Sequence, residues 1–231
     1  MNRLILLFLL LLMLTGCATT VDMVVSTPVN IDDKNYSAWK TGTYMFNNNE
    51  VVMFLQPDNS YTSQTARWLP FLPVDTFKES VEGRKDERFK QKKFLLELLL
   101  RSKKEGYKFN PLEVTFVSKS GSFFKPSKYE RLILHEHNRW TPSKNERGGL
   151  CCHLGSYCEK ANKDVSSESE FTHVSATNND ALCYVLEFDV LPPMPGDMFA
   201  IEVDGLYKEN HKVDLKKFRF NGSNTFKNTY F

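Results

Sequence analysis
The chain has 231 residues, with 30 Lys+Arg against 28 Asp+Glu and a formal net charge of +2. That balance gives no case for nucleic acid, which calls for a clustered basic face. Aromatic residues make up 13%, with 18 Phe, which argues for a packed core and against disorder.

The chain begins Met1-Asn2-Arg3. An unbroken apolar run, Leu4 to Leu14, follows, and then Thr15-Gly16-Cys17. A basic start, a short apolar run and small residues at a cut site are the pattern of a secretory signal. The run is shorter than the roughly 20 apolar residues of a bilayer span. Leu14-Thr15-Gly16-Cys17 resembles the lipobox of bacterial lipoproteins. The resemblance covers this leader alone. It implies cleavage before Cys17, loss of residues 1–16, a diacylglycerol on the Cys17 sulfur and acylation of the new amino group. Several acyl chains at one point anchor stably, since each buried CH₂ contributes about 0.8 kcal/mol. Members held at the inner membrane carry Asp after the cysteine, so Ala18 implies the outer membrane. The other reading is an ordinary cleaved signal with Cys17 as a bystander.

Residues 17–34 read as the lipidated cysteine and a tether, rich in Thr, Val, Asp and Asn without a sustained period. An edge strand over Val21 to Val25 is the alternative. From Asn35 to Phe231 a single domain is expected. Tyr44-Met45-Phe46, Asn47-Asn48-Asn49 and Glu50 to Leu55 predict a hairpin, because Asn tolerates positive φ. Residues 67–77 are apolar but broken by Pro70 and Pro73, which lack the N–H a central strand needs. Residues 83–93 are a basic run, read either as a solvated loop or as a contact for anionic lipid. The stretch 84–104 admits a helix. Its apolar residues crowd into Phe94 to Leu100, however, and fit a buried strand better.

Glu113 to Lys119 alternates, with Val114 and Phe116 inward. Arg131 to Arg139 alternates again, Leu132 and Leu134 sharing one face. Residues 141–180 form a long interruption that holds three cysteines, and loops of that length are usually functional or pinned. Ala181 to Val190 is the clearest strand, with Leu182, Tyr184, Leu186, Phe188 and Val190 on one face and Cys183 on the other. Phe199, Ile201 and Val203 form another stripe. Val213 and Leu215 are out of phase with Phe218 and Phe220, which predicts a β-bulge near Lys216-Lys217.

Many short strands separated by Gly, Pro and Asn turns predict an all-β fold, an antiparallel β-sandwich of immunoglobulin-like or similar type. A closed barrel is the alternative. The terminal Tyr230-Phe231 resembles the end of outer-membrane barrels, but Glu187 and Asp189 on the clearest strand do not suit lipid contact. With Cys17 given to the lipid, Cys151, Cys152, Cys158 and Cys183 predict two disulfides stapling the domain. Adjacent cysteines seldom bond to each other, so Cys151 and Cys152 are each expected to pair with Cys158 or Cys183.

Three chemistries are open. His135 and His137, at i and i+2 on a strand, project from one face and could share a metal ion, with Cys151, Cys152, His153, Cys158 and His173 further on. The competing reading is a pair of solvated histidines. Trp68 and Phe71 (with Phe77), or Trp140 beside Arg139, could form an aromatic platform for sugar rings; otherwise they cover the end of the sandwich. A nucleophilic enzyme finds little support, since no G-x-S-x-G elbow occurs; the Cys151, Cys152 and His153 group would more simply be oxidised. The expectation is therefore a non-catalytic envelope lipoprotein, without a cofactor, that binds another envelope protein. The alternatives are a glycan- or peptidoglycan-binding module and a metal-binding protein or metalloenzyme at His135 and His137.

Overall fold
The computed structural model describes residues 18–67, 93–135, 158–159, 171–174 and 180–230. The first stretch carries β1 (Ala18–Pro28), β2 (Tyr36–Ala38), β3 (Tyr44–Asn47), β4 (Val51–Asp58) and β5 (Tyr61–Arg67). The second carries β6 (Phe94–Ser102), β7 (Tyr107–Phe109), β8 (Val114–Val117), β9 (Phe123–Phe124) and β10 (Lys128–His135). Next come β11 (Cys158–Glu159), β12 (Thr172–His173), β13 (Asp180–Phe188), β14 (Gly196–Val203), β15 (Leu206–Lys208), β16 (His211–Lys212) and β17 (Phe218–Tyr230). Among the described residues there is no α-helix, only a 3-10 turn at Pro111–Glu113. No helix among them is long and apolar enough to cross a membrane.

The described chain falls into two compact units. Segments distant in sequence make up each unit, and composition along the chain does not reveal such grouping. The smaller unit holds 18–24, 61–67 and 225–230. In it β1 pairs antiparallel with β5, from Ala18 opposite Arg67 to Val24 opposite Tyr61. The expected tether over 17–34 is therefore a strand over most of its length. The alternative of a strand is the one seen, and it extends beyond Val21 to Val25, but it is not an edge: β1 lies between β5 and β17 in its sheet. Cross-strand hydrogen bonding supplies the order that the mixed composition does not announce.

The larger unit is an all-β antiparallel sandwich. One sheet has the order β11-β10-β13-β6-β4-β3-β2, and a second runs β17-β14-β8-β9. Phe94 of the first meets Phe116 and Phe199 of the second at 5.0 and 6.2 Å between ring centres. The stretch Phe94 to Leu100 is strand β6, as its crowded apolar residues suggested. Phe94, Leu96, Leu98 and Leu100 point into the core with no exposed surface. Leu99 points the other way and is also buried. It lies in a register row with Met45, Phe54 and Cys183 across four strands, so β6 is covered on both faces. That explains the near-continuous apolar run.

The predicted hairpin is present. Asn49 has φ 71°, and the Asn47 and Asn48 side chains accept hydrogen bonds from the turn N–H groups of Asn49, Glu50 and Val51. The bulge expected near Lys216-Lys217 is absent. Residues 213–217 leave the sheets altogether, passing from β16 to β17, so Val213 and Phe218 need not share a phase. Tyr44 ties the end of this unit together. Its hydroxyl contacts the carbonyl oxygens of Val29 and Arg219, and burial pushes its pKa up to about 12.

Candidate functional site
A third sheet, β12-β7-β15-β16, presents the most organised solvent face. Its strands are two or three residues long, and alternation sorts them cleanly. Tyr107, Phe109, Val174 and Leu206 turn inward and join the main core. His173, Lys108, Tyr207 and Lys212 stand opposite one another in a single row on the outer side. With strands about 4.8 Å apart, the row is roughly 14 Å wide.

Phe171, 39% exposed, lies just before β12 and packs edge-on against Tyr207, ring centres 5.2 Å apart at 85°. The Lys108 ammonium sits 5.0 Å from the centre of the Phe171 ring and donates to Asn210 Oδ1 at 3.3 Å. Tyr207 donates its hydroxyl to Glu113 Oε2 at 2.8 Å, and this bond raises the tyrosine pKa. Glu113 is itself held by the Asn110 amide at 3.0 Å. Asn110 caps the 3-10 turn by accepting from the Leu112 N–H, and its own N–H donates to Gly205 O. A sequence-local cap thus sets the direction of a tyrosine nearly a hundred residues away. Lys212 pairs with Asp204 at 2.7 Å.

Beside this sheet, Glu50 collects three donors. Lys104 and Lys208 each lie at 2.6 Å and the Tyr107 hydroxyl at 2.9 Å. The hydrogen bond from Lys104, then those from Lys208 and Tyr107, hold the carboxyl at about 2, below its usual 4.5. A lowered folded value means that the ionised group stabilises the fold above pH 4.5, and that this help fades as pH falls toward 2. Glu50→Gln is expected to lower the Tm at pH 7 and to flatten the acid decline between these values. Equal Tm at pH 7, or parallel acid slopes for the two proteins, would refute the assignment.

A second exposed feature lies on the sheet containing β8 and β14. Phe123 stands opposite Val117, which stands opposite Ala200, so the three share one face of the sheet, with Ala200 buried on it. Phe123 is 67% exposed; elsewhere in the chain Met198 in β14 and Leu191, five residues before that strand, are 50% and 56% exposed.

The residues singled out from sequence fare unevenly. Cys17, Trp68, Phe71, His137, Trp140, Cys151 and Cys152 lie outside the described residues. His135 ends β10 opposite Asp180, and Cys158 stands opposite Leu134 in β11. Among the described residues no group of three His, Cys, Asp or Glu side chains could hold a metal ion. Cys183 is fully buried and disulfide-bonded. Strands β11 and β13 flank β10, so the Cys158 and Cys183 backbones stand about two strand spacings, roughly 9–10 Å, apart or more. Phe171, Lys108, Tyr207 and Lys212 were missed at the sequence level. Strands this short carry no measurable period, and the row forms only when four of them align. No known family model matches the chain, and neither does any curated protein.

Proposed function
We propose that this is a lipid-anchored protein of the bacterial outer membrane with a non-catalytic role, binding another envelope protein. The lipobox-like leader ending at Cys17 supports the anchor. The observation that carries the binding role is Phe123, a large apolar side chain exposed on the edge strand β9, with Met198 and Leu191 also exposed. Exposed apolar groups on ordered elements are the usual anchors of protein interfaces. In this reading Cys183 pairs with Cys151 or Cys152, and Cys158 with the other, stapling the domain in an oxidising compartment.

The double variant Phe123→Ser, Met198→Ser should keep its Tm, since exposed substitutions shift stability by only about 0.5 kcal/mol. In-cell crosslinking should recover the partner at least tenfold less than with wild type. Undiminished recovery would remove this surface from the binding role.

A second reading, a glycan-binding module, is favoured by Phe171 and Tyr207. Both are placed on a solvent face among polar side chains, the kind of aromatic platform that the sequence also suggests at Trp68, Phe71 and Trp140.

A further inference from the structure
We propose that the outer face of β12-β7-β15-β16 binds a carboxylate-bearing saccharide, with Lys108 pairing the carboxylate and Phe171 receiving the apolar side of a sugar ring. The inference rests on the glycan-binding reading above.

Lysine partners single out the cation. Lys104, Lys208 and Lys212 each hold a carboxylate, at 2.6, 2.6 and 2.7 Å. Lys108 stands among them with neutral partners only among the described residues, the Asn210 amide oxygen at 3.3 Å and the Phe171 ring at 5.0 Å. An ammonium resting on a ring face remains charged and able to accept an anion. The binding charge is thus one residue, which suits a single carboxylate better than a polyanion.

The surroundings suit a polyhydroxylated ring. Phe171 is pinned edge-on by Tyr207, so little side-chain freedom is lost when a ring packs on it. The Tyr207 hydroxyl donates to Glu113 and keeps lone pairs to accept from a sugar hydroxyl. Asp204, paired with Lys212 and still 45% exposed, offers a further acceptor, and the Asn210 amide a donor. His173 adds a second polar ring next to Lys108 in the row. An aromatic surface rimmed by donors and acceptors, with Lys108 not paired to a carboxylate among the described residues, is complementary to an acidic sugar. A purely apolar partner would leave these polar groups unpaired.

The test uses the full exported protein purified in detergent. The probes are hexamers of galacturonic, glucuronic and mannuronic acid, their methyl esters, and a hexaglutamate peptide, measured by calorimetry at low salt. At least one uronate hexamer should bind, with its methyl ester tenfold or more weaker. Lys108→Met should remove the preference for acid over ester, and Phe171→Ala should weaken both at least fivefold, each with an unchanged Tm. If acid and ester bind equally and both need Phe171, the carboxylate assignment fails while the glycan reading stands. If no hexamer binds, both fail. If hexaglutamate binds as tightly as the best uronate, the face is a receptor for acidic peptide and the saccharide assignment is overturned.

Discussion

Phe94→Ala is expected to destabilise the larger unit by about 3–5 kcal/mol. The side chain has no exposed surface. It stacks on Phe188 at 5.7 Å and 28°, and meets Phe116 and Phe199 from the opposing sheet at 5.0 and 6.2 Å. Removing it opens a hole between rings carried by β8, β13 and β14. Each of these strands is held by backbone hydrogen bonds to its own neighbours, so the hole cannot close by moving one of them. For a chain of this size each kcal/mol moves the Tm by about 2–4 °C, so a fall on the order of 10 °C is expected by calorimetry. Phe94→Leu keeps most of the volume and should lose much less. A fall under about 1 kcal/mol for the alanine variant would mean that the rings are not closely packed.

Gly205→Ala is the second large effect, and its cause is backbone crowding. A Cβ at this position would lie 2.0 Å from Asn110 O, 3.0 Å from Asn110 C and 3.2 Å from Glu113 Cβ. The nearest obstacle is backbone, so no rotamer change relieves it. The chain must separate at a place where Asn110 N donates to Gly205 O at 2.9 Å and Asp204 N to Glu113 O at 3.3 Å. Overpacking of this kind costs about 1–3 kcal/mol or more. The damage also reaches the outer face, because Asn110 caps the turn that presents Glu113 to Tyr207. A Tm lower by several degrees is therefore expected, with a changed chemical environment of Tyr207 in nuclear magnetic resonance spectra. An unchanged Tm and spectrum would show that the 204–206 link yields freely.

Strands long enough to express a period were legible in the sequence. Leu182, Tyr184, Leu186 and Phe188 alternate because one face of β13 meets the core, and Val114 and Phe116 do so for the same reason. The Asn47 to Asn49 turn was legible because side-chain capping and positive φ are local properties of asparagine. The whole of Phe94 to Leu100 read as buried strand because both of its faces are covered, which leaves no polar residue at every second place except Glu97. Elements shaped by partners were not legible. Residues 18–28 carry little pattern and are ordered by pairing, and residues 213–217 connect two different sheets instead of bulging within one.

The candidate site divides in the same way. Residue types decided which chemistries the sequence suggests: paired histidines, an aromatic platform, four cysteines besides Cys17. Trp68, Phe71 and Trp140 were chosen for their size, and nothing in a linear string says which aromatic ring will remain on the surface. Phe171 and Tyr207 come together because β12 and β15 both border β7, and among the described residues Lys108 has no carboxylate partner while Lys208 and Lys212 hold Glu50 and Asp204. By itself the sequence determined that the chain is all-β, since alternation is a property of contiguous residues; the resemblance of Leu14 to Cys17 to a lipobox is likewise local and carries the proposed anchor. Only the tertiary structure decided which faces are covered and which side chains share a row, because those depend on strand register between segments as many as a hundred residues apart.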